Sequence, residues 1–366
     1  MALNYKQITD LDSFAGLRKP WNELVTHTEV DHAFMRHEWF ECWIKNLGVD
    51  GKLSIRTAWD GAQLVGIAPL HIVRRTFRGI PLRVLSFLQS GITPRCNFIV
   101  HESLDLDIFF ESIFAIKGWD IMELKSLDEK LMITQRFLGY LAGRRPFVIE
   151  AGIQSPFEVI ESDWETYLAS RSKHLQRDIG AAVKRSSSVP SVVILKMEEQ
   201  TELQKHFCDF VSISQRSWKV GTRTDLSTDQ QTAGFYREFS DLGGQQGLCV
   251  AYLLIMDGKP IAFDYYVRCQ KKLAALRWEY DQNYNYHMPG LLLHSSVVRD
   301  LASSGEVWEY DLSGDVTKFK ASFAKDIRAH INIAVGRPGM YGSTLMLLKR
   351  VSQRLRHGQP AHSAGD

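Results

Sequence analysis

Between residues 248 and 280 the apolar positions fall into three short runs, 248–256, 260–269 and 273–280, the first two joined at Asp257-Gly258. Runs of this length, rich in Val, Tyr and Phe, predict strands, and Asp-Gly between two of them is a two-residue hairpin signal because its turn needs positive φ. The pattern breaks at Asp281-Gln282-Asn283. After Pro289-Gly290 it lengthens: Leu291, Leu292, His294, Ser295 and Val298 follow in helical rhythm, with Pro suited to the first helical position. Beyond Gly305 a further strand is predicted over 307–312. The result is a βαβ-sized unit whose helix N-terminus offers unpaired N–H groups and a positive dipole end to a phosphate or pyrophosphate.

Upstream, residues 34–43 put Trp39, Phe40 and Trp43 on one helical face. Strands are predicted at 55–58 and 64–73, joined at Asp60-Gly61, and at 82–88, 118–124 and 147–150, with helices at 106–116 and 130–141. This is one α/β domain, 1–150. The stretch 151–163, with Gly152, Ser155 and Pro156, reads as a boundary. A second domain, 151–340, opens with a helix over 164–186 that has Leu168, Leu175, Ile179 and Ala182 on one face and Lys173, Arg177 and Lys184 on another. A strand at 192–196, a helix at 201–218, a polar loop at 221–227 and a helix at 230–242 closed by Gly243-Gly244 lead into the βαβ unit. The third piece, 341–366, predicts a short basic amphipathic helix, with Leu345, Leu348 and Leu355 against Lys349, Arg350, Arg354 and Arg356, and a disordered tail from His357. Both halves run helices, an Asp-Gly hairpin, a strand and a helix, without a residue-level repeat.

The 366 residues suit two domains, and 45% hydrophobic composition is enough for two cores. A net charge of +2 gives no general basic field, which argues against DNA as a partner. Five scattered cysteines without a C-x-x-C, and histidines without metal spacing, predict neither a disulfide framework nor a metal site, and suit a reducing compartment. The first residues do not form a signal peptide and no run reaches the ~18 apolar residues of a membrane span. The expectation is a soluble cytoplasmic protein, acting at the inner face of the membrane if the C-terminal basic helix provides a peripheral contact.

Several segments carry a family resemblance: D-G-K-P-I-A (257–262), W-E-Y-D-Q-N-Y (278–284), M-P-G-L-L-L (288–293), Y-D-L-S-G-D (310–315), K-F-K (318–320), the basic helix W-E-T-Y-L-A-S-R-S-K-H-L-Q-R-D (164–178) and R-S-W-K (216–219). Their order resembles the BioF/CelD-like acetyltransferases, a FemAB-related family of the GNAT superfamily. The resemblance implies two tandem GNAT-like domains, each a mixed, mostly antiparallel sheet flanked by helices. It also implies an N-acyltransferase that carries an acyl group from acyl-CoA, its co-substrate, to a primary amine of a cell-envelope or exopolysaccharide precursor. The basic-glycine loop of typical GNAT enzymes is absent. Acylation of an amino lipid as in bacterial ceramide synthesis, FemAB-like aminoacyl transfer, and a non-catalytic polysaccharide-assembly subunit remain as alternatives. The acceptor is a small or lipid-linked amine.

The resemblance points to Met288, Pro289, Gly290 and Leu291, with Tyr280, as the acyl-CoA site; the plain alternative is a turn with Pro at the helix start. Acyl transfer needs a proton acceptor and donors for a tetrahedral oxyanion. Alternation puts Arg277, Glu279 and Asp281 on one face of their strand, which makes Glu279 the candidate base, against the alternative of a solvated or paired sheet face. Asp281 also suits a turn. Lys318 and Lys320 are candidates to neutralise an anion, Lys320 in the catalytic set. Lys173 and Arg177 are candidates for an anionic acceptor, and Trp218 for the wall of a sugar or acyl pocket. His174 and His294 read as satisfied polar residues.

Overall fold

Residues 3–48, 51–77, 79–337 and 339–357 are described by a computed structural model of the chain. The chain divides into two units: residues 1–30, 49–153 and 329–366 make the first, and 31–48 and 154–328 the second. The sequence pattern set its domain boundary at residue 150, and the units divide at 153/154. The segment 31–48 nevertheless belongs with the second unit, and the C-terminal helix belongs with the first rather than standing apart.

In the first unit, strands Asn4–Ile8, Ile55–Asp60, Gln63–Ala68 and Ile99–Val100 form an antiparallel four-stranded sheet. The strand expected over 64–73 is two strands in different sheets, because Pro69, which cannot donate to a ladder, separates Gln63–Ala68 from Leu70–Phe77. Leu70–Phe77 is antiparallel to Ile80–Phe87, which runs parallel to Ile121–Asp128 over only Val84–Ser86 against Ile121–Glu123. Phe98 packs its ring 5.1–6.3 Å from Phe109, Phe110 and Phe137, which forms the aromatic core. Strand Asp326–Gly336, which the pattern did not predict, pairs with Ile121–Asp128. Helix Met340–His357 buries Leu345 and Met346 in a cluster with Val84 and Ile121, and Lys349 bonds Glu123. The side chains of Arg354, Leu355 and Arg356, and the predicted tail beyond residue 357, lie outside the described residues.

The second unit carries the strands β1 (Val192–Met197), β2 (Cys249–Met256), β3 (Lys259–Cys269), β4 (Lys272–Tyr280) and β5 (Trp308–Asp311). From β1 to β4 neighbours are antiparallel, and Asp257 and Gly258 both take positive φ at the β2–β3 turn, as the Asp-Gly signal requires. The helices that matter here are α1 (Lys173–Ser186), α2 (Gln230–Gln245), α3 (Pro289–Ser303) and α4 (Lys318–Phe323). Leu175, Ile179 and Ala182 of α1 and Leu293, Val297 and Val298 of α3 bury against Val250, Leu254, Ile261 and Tyr266 of the sheet. A second cluster sets Trp39 of helix His37–Asn46 against Phe235 and Phe239 of α2, at 4.9 and 5.1 Å.

Other elements differ from their sequence patterns, each for a long-range reason. The helix expected over 164–186 is two helices, Trp164–Ala169 and α1. Ser172 caps α1 by accepting from Leu175 N at 3.2 Å, and Arg171 turns inward onto buried Glu158 at 2.5 Å. The 201–218 segment divides into Gln200–Lys205, Phe207–Ser214 and a 3-10 turn, Trp218–Thr222. Gly243 and Gly244 lie inside α2, where a Cβ would sit 3.0 Å from Cys249 Sγ or 3.1 Å from the Gln200 backbone; the left-handed residue after the helix is Gly247. The expected linker 151–163 is largely the second half of a 14-residue strand, Phe147–Ile160, whose residues Phe157–Ile160 pair with β5. Sheet pairing on both edges, with β5 and with Asp326–Gly336, overrides the turn preferences of Gly152, Ser155 and Pro156.

Candidate active site

β4 and β5 are parallel neighbours for only three pairs, Lys272–Glu309, Leu273–Tyr310 and Ala274–Asp311. β5 then ends, while β4 continues six residues further to Tyr280. Among the described residues its edge from Ala275 onward has no strand partner on that side, so the strands part into an opening whose backbone donors and acceptors are not used by a strand. Alternation along β4 puts half-buried Trp278 and Tyr280 on the face shared with α3, and buried Arg277 and Glu279 on the other.

On the first face, Lys320 Nζ lies 5.6 Å from the Trp278 ring and donates to the Ser313 carbonyl. Thr317 caps α4 through Lys320 N at 3.2 Å, which fixes where this lysine leaves the chain. Burial holds its ammonium below the usual lysine pKa, against the pull of Asp315 and Asp311. Lys318, at the start of the same short helix, is exposed.

The second face is paired rather than solvated. The Glu279 carboxylate, 2% exposed, accepts from Ser214 Oγ at 2.8 Å, Ser217 Oγ at 2.5 Å and Arg277 Nε, with Lys219 Nζ at 3.5 Å. Enclosed by these donors, it cannot take a substrate proton without first giving up a bond. Burial and the neighbouring Arg277 push Lys219 down to about 8, partly offset by Glu279. Asp281 accepts from Arg216 Nε at 2.5 Å and caps the turn Gln282–His287 through Asn283 N at 3.0 Å, so it is both turn former and ion-pair partner. Trp218, 49% exposed, follows this network into solvent.

α3 begins at the far end of β4. Its N-cap, Met288, sits in the left-handed region (φ 52°) and provides no side-chain cap, and Pro289 has no N–H. Gly290 and Leu291 are left as first-turn donors. A Cβ on Gly290 would lie 3.1 Å from the Tyr280 ring, so glycine is what allows Tyr280 to lie against the start of the helix. The first unit has a comparable helix, Leu106–Phe114, which precedes the strand Ile121–Asp128 that runs parallel to Ile80–Phe87. Its N-terminus is sealed: Asp105 accepts from Asp107 N at 3.1 Å and Ile108 N at 3.2 Å. A carboxylate there repels an anion, whereas the α3 start is uncapped and its donors stay available.

Arg185, in the last turn of α1, gives this region a cation that the sequence reading left out. It donates to the Tyr286 carbonyl at 2.9 Å and stacks on the Tyr286 ring at 5.0 Å, just ahead of α3. The predicted anion binders Lys173 and Arg177 are exposed on α1 and bond Gln176 and His174 of the same helix; among the described residues no contact ties them to the opening. Asp264 also escaped the sequence reading. It is 2% exposed and 3.3 Å from His294 Nδ1, and only its register opposite Trp278 would have pointed to it. A groove of about 340 Å³ lined by Val183, Ile194, Leu292 and Arg299 shares only α3 with the opening. Among the described residues no cluster of His, Cys, Asp or Glu is assembled to hold a metal, and no helix is long and apolar enough to cross a membrane.

Residues 173–321 match the family model described as an acetyltransferase (GNAT) domain. No curated protein sequence matches the chain. Among solved structures, FemX is similar over 96% of this chain and 100% of its own, at 11% identity and a TM-score of 0.61. The C-terminal domain of an Agrobacterium fabrum protein assigned as a lysylphosphatidylglycerol synthetase is similar over 93% of this chain and 97% of its own, at 11% identity and a TM-score of 0.54. L-PGS from Bacillus licheniformis is similar over 94% and 97%, at 10% identity and 0.53. At these identities the likeness is one of fold.

Proposed function

Since the chain is an acyltransferase with a GNAT domain in its second unit, we propose that it transfers an acyl group from acyl-CoA to a primary amine at the opening between β4 and β5. The observation that carries this reading is the three-pair contact of β4 with β5 beside an uncapped α3. A thioester lying along the free edge of β4 would satisfy that edge's backbone groups. Its pyrophosphate would meet the Gly290 and Leu291 N–H groups, with Arg185 close by and no capping carboxylate against it. The donor set therefore suits the ligand despite the missing basic-glycine loop.

In this reading the neutral amine attacks the thioester carbonyl, the C–S bond breaks as the amide forms, CoA leaves as its thiolate, and the amine's proton passes to solvent, which in turn protonates the thiolate. Lys320 provides positive charge for the developing oxyanion or for an anionic acceptor. Glu279 acts as the anchor of the segment from Ser214 to Lys219 rather than as a free base. The resemblance to CelD-like proteins favours an amine on a cell-envelope or exopolysaccharide precursor, taken up at the cytoplasmic side of the membrane, with exposed Trp218 as a flat surface for a sugar ring.

Calorimetry with CoA, acetyl-CoA and a long-chain acyl-CoA, repeated with Gly290→Trp, tests the reading. Binding to the wild type that disappears in the variant supports it, and the preferred chain length divides a sugar amine from a lipid acceptor. Absence of binding by all three ligands overturns it in favour of aminoacyl transfer or a non-catalytic role.

A further inference from the structure

Four polar side chains from three elements are buried together beneath Trp278: Asp264 and Tyr266 of β3, His294 of α3 and Tyr310 of β5, none more than 2% exposed. They form one hydrogen-bonded network. Burial keeps both phenols protonated, by raising them well above the usual tyrosine range, so both are donors. Tyr266 Oη donates to Asp264 Oδ2 at 3.0 Å, and His294 Nδ1 lies 3.3 Å from the same oxygen. Nδ1 then carries a proton toward the carboxylate, and Nε2 meets Tyr310 Oη at 2.8 Å. Tyr310 and Tyr266 meet at 3.1 Å. Asp264 thus fixes the orientation of the imidazole.

The oriented ring touches the parts that border the opening. Its centroid is 4.9 Å from that of Trp278, near perpendicular at 83°, 5.2 Å from Phe319 and 4.6 Å from Phe323. Phe319 and Phe323 belong to α4 and lie on either side of Lys320 in sequence. The far end of α4 is held separately: Tyr167 Oη donates to the Phe323 carbonyl at 2.7 Å and Arg171 Nη1 at 3.2 Å. An apolar cluster would fill the same space without desolvating a carboxylate and an imidazole, and such replacements are often no less stable.

We infer that the Asp264–His294 pair is the positioning device of the opening: it fixes the imidazole against Trp278 and the α4 phenylalanines, and so keeps the Lys320 ammonium at the Ser313 carbonyl. The catalytic meaning of that role rests on the acyl-transfer reading, but the placement of Lys320 is testable without it.

The experiment follows the Lys320 ammonium by NMR in full-length protein labelled at lysine Nζ, assigned through Lys320→Arg, across a pH titration. Wild type, His294→Gln, His294→Phe and Asp264→Leu are compared, with thermal unfolding as the check on the fold and acetyl-CoA calorimetry in parallel. His294→Gln keeps a donor toward Asp264 and an acceptor toward Tyr310, so Lys320 should titrate as in wild type, below an ordinary lysine. His294→Phe keeps a ring but neither hydrogen bond, and Asp264→Leu removes the orienting carboxylate. In both, Lys320 should return toward the ordinary lysine range, with acetyl-CoA affinity within a few-fold of wild type. A folded His294→Phe or Asp264→Leu with Lys320 unchanged, or a Gln variant that behaves like Phe, overturns the inference. If wild type binds no acetyl-CoA, the acyl-transfer reading fails while the Lys320 titration still decides this one.

Discussion

Ser217 donates a 2.5 Å hydrogen bond to Glu279, and this bond ties the turn that carries Trp218 and Lys219 to the strand beside the opening. The carboxylate is the shared acceptor for a helix end, a 3-10 turn and Arg277 of its own strand. Glu279→Ala should therefore destabilise the protein by about 3–5 kcal/mol, the usual result of leaving buried cations without their counter-charge. Urea unfolding measures it. A stable variant that has lost only turnover would instead identify the carboxylate as the proton acceptor.

Lys219 makes stability depend on pH in a predictable direction. Its folded pKa, about 8, lies below the ordinary lysine value of 10.5, so between these values the unfolded chain binds more protons. Stability rises with pH across that window and is lower by the full amount below pH 8. At about 1.4 kcal/mol per pH unit the difference is on the order of 3 kcal/mol. Subtracting the unfolding free energies of Lys219→Met from those of wild type, measured from pH 7 to 11, should show a rise of that sign, and a flat difference would refute it.

The contrast between the two helix starts can be tested by exchange. Met288→Asp gives α3 the kind of cap that Asp105 gives the first unit's helix. The new carboxylate should weaken CoA binding at least tenfold while leaving thermal stability unchanged or raised. Met288→Gly, which relieves the left-handed φ of 52° without adding charge, should keep CoA affinity and stabilise by up to about 1 kcal/mol. Calorimetry on the pair separates a charge effect from a backbone effect.

Lys320→Met keeps the aliphatic stem against Trp278 but removes the ammonium. If Lys320 stabilises the oxyanion, turnover of an accepted amine should fall about 10²–10³-fold with acyl-CoA affinity within a few-fold of wild type. Equal losses in both would make Lys320 a ligand for the donor rather than for the transition state.

Local chemistry made the frame legible. Asp257-Gly258 demanded positive φ and forms the β2–β3 turn, Pro289 opens α3, and alternation along β4 separates Trp278 from Glu279. Strand, helix and strand follow in the order that the pattern predicts. What that order could not contain was the length over which β4 and β5 stay paired, which makes the opening an opening.

By itself the sequence determined the elements whose causes lie within a few residues: hairpin turns, helix starts and the two faces of a strand. Tertiary structure alone decided that residues 151–160 continue a strand and are not a linker, that Gly243 and Gly244 stay inside a helix, and that Ser214, Ser217 and Lys219 converge on Glu279. It also brought Asp264 under His294, a pair with no signal at either position. The reason is physical: turn and helix preferences act through bonds and near neighbours, whereas strand pairing and the satisfaction of buried charge depend on groups that meet only after the chain has folded.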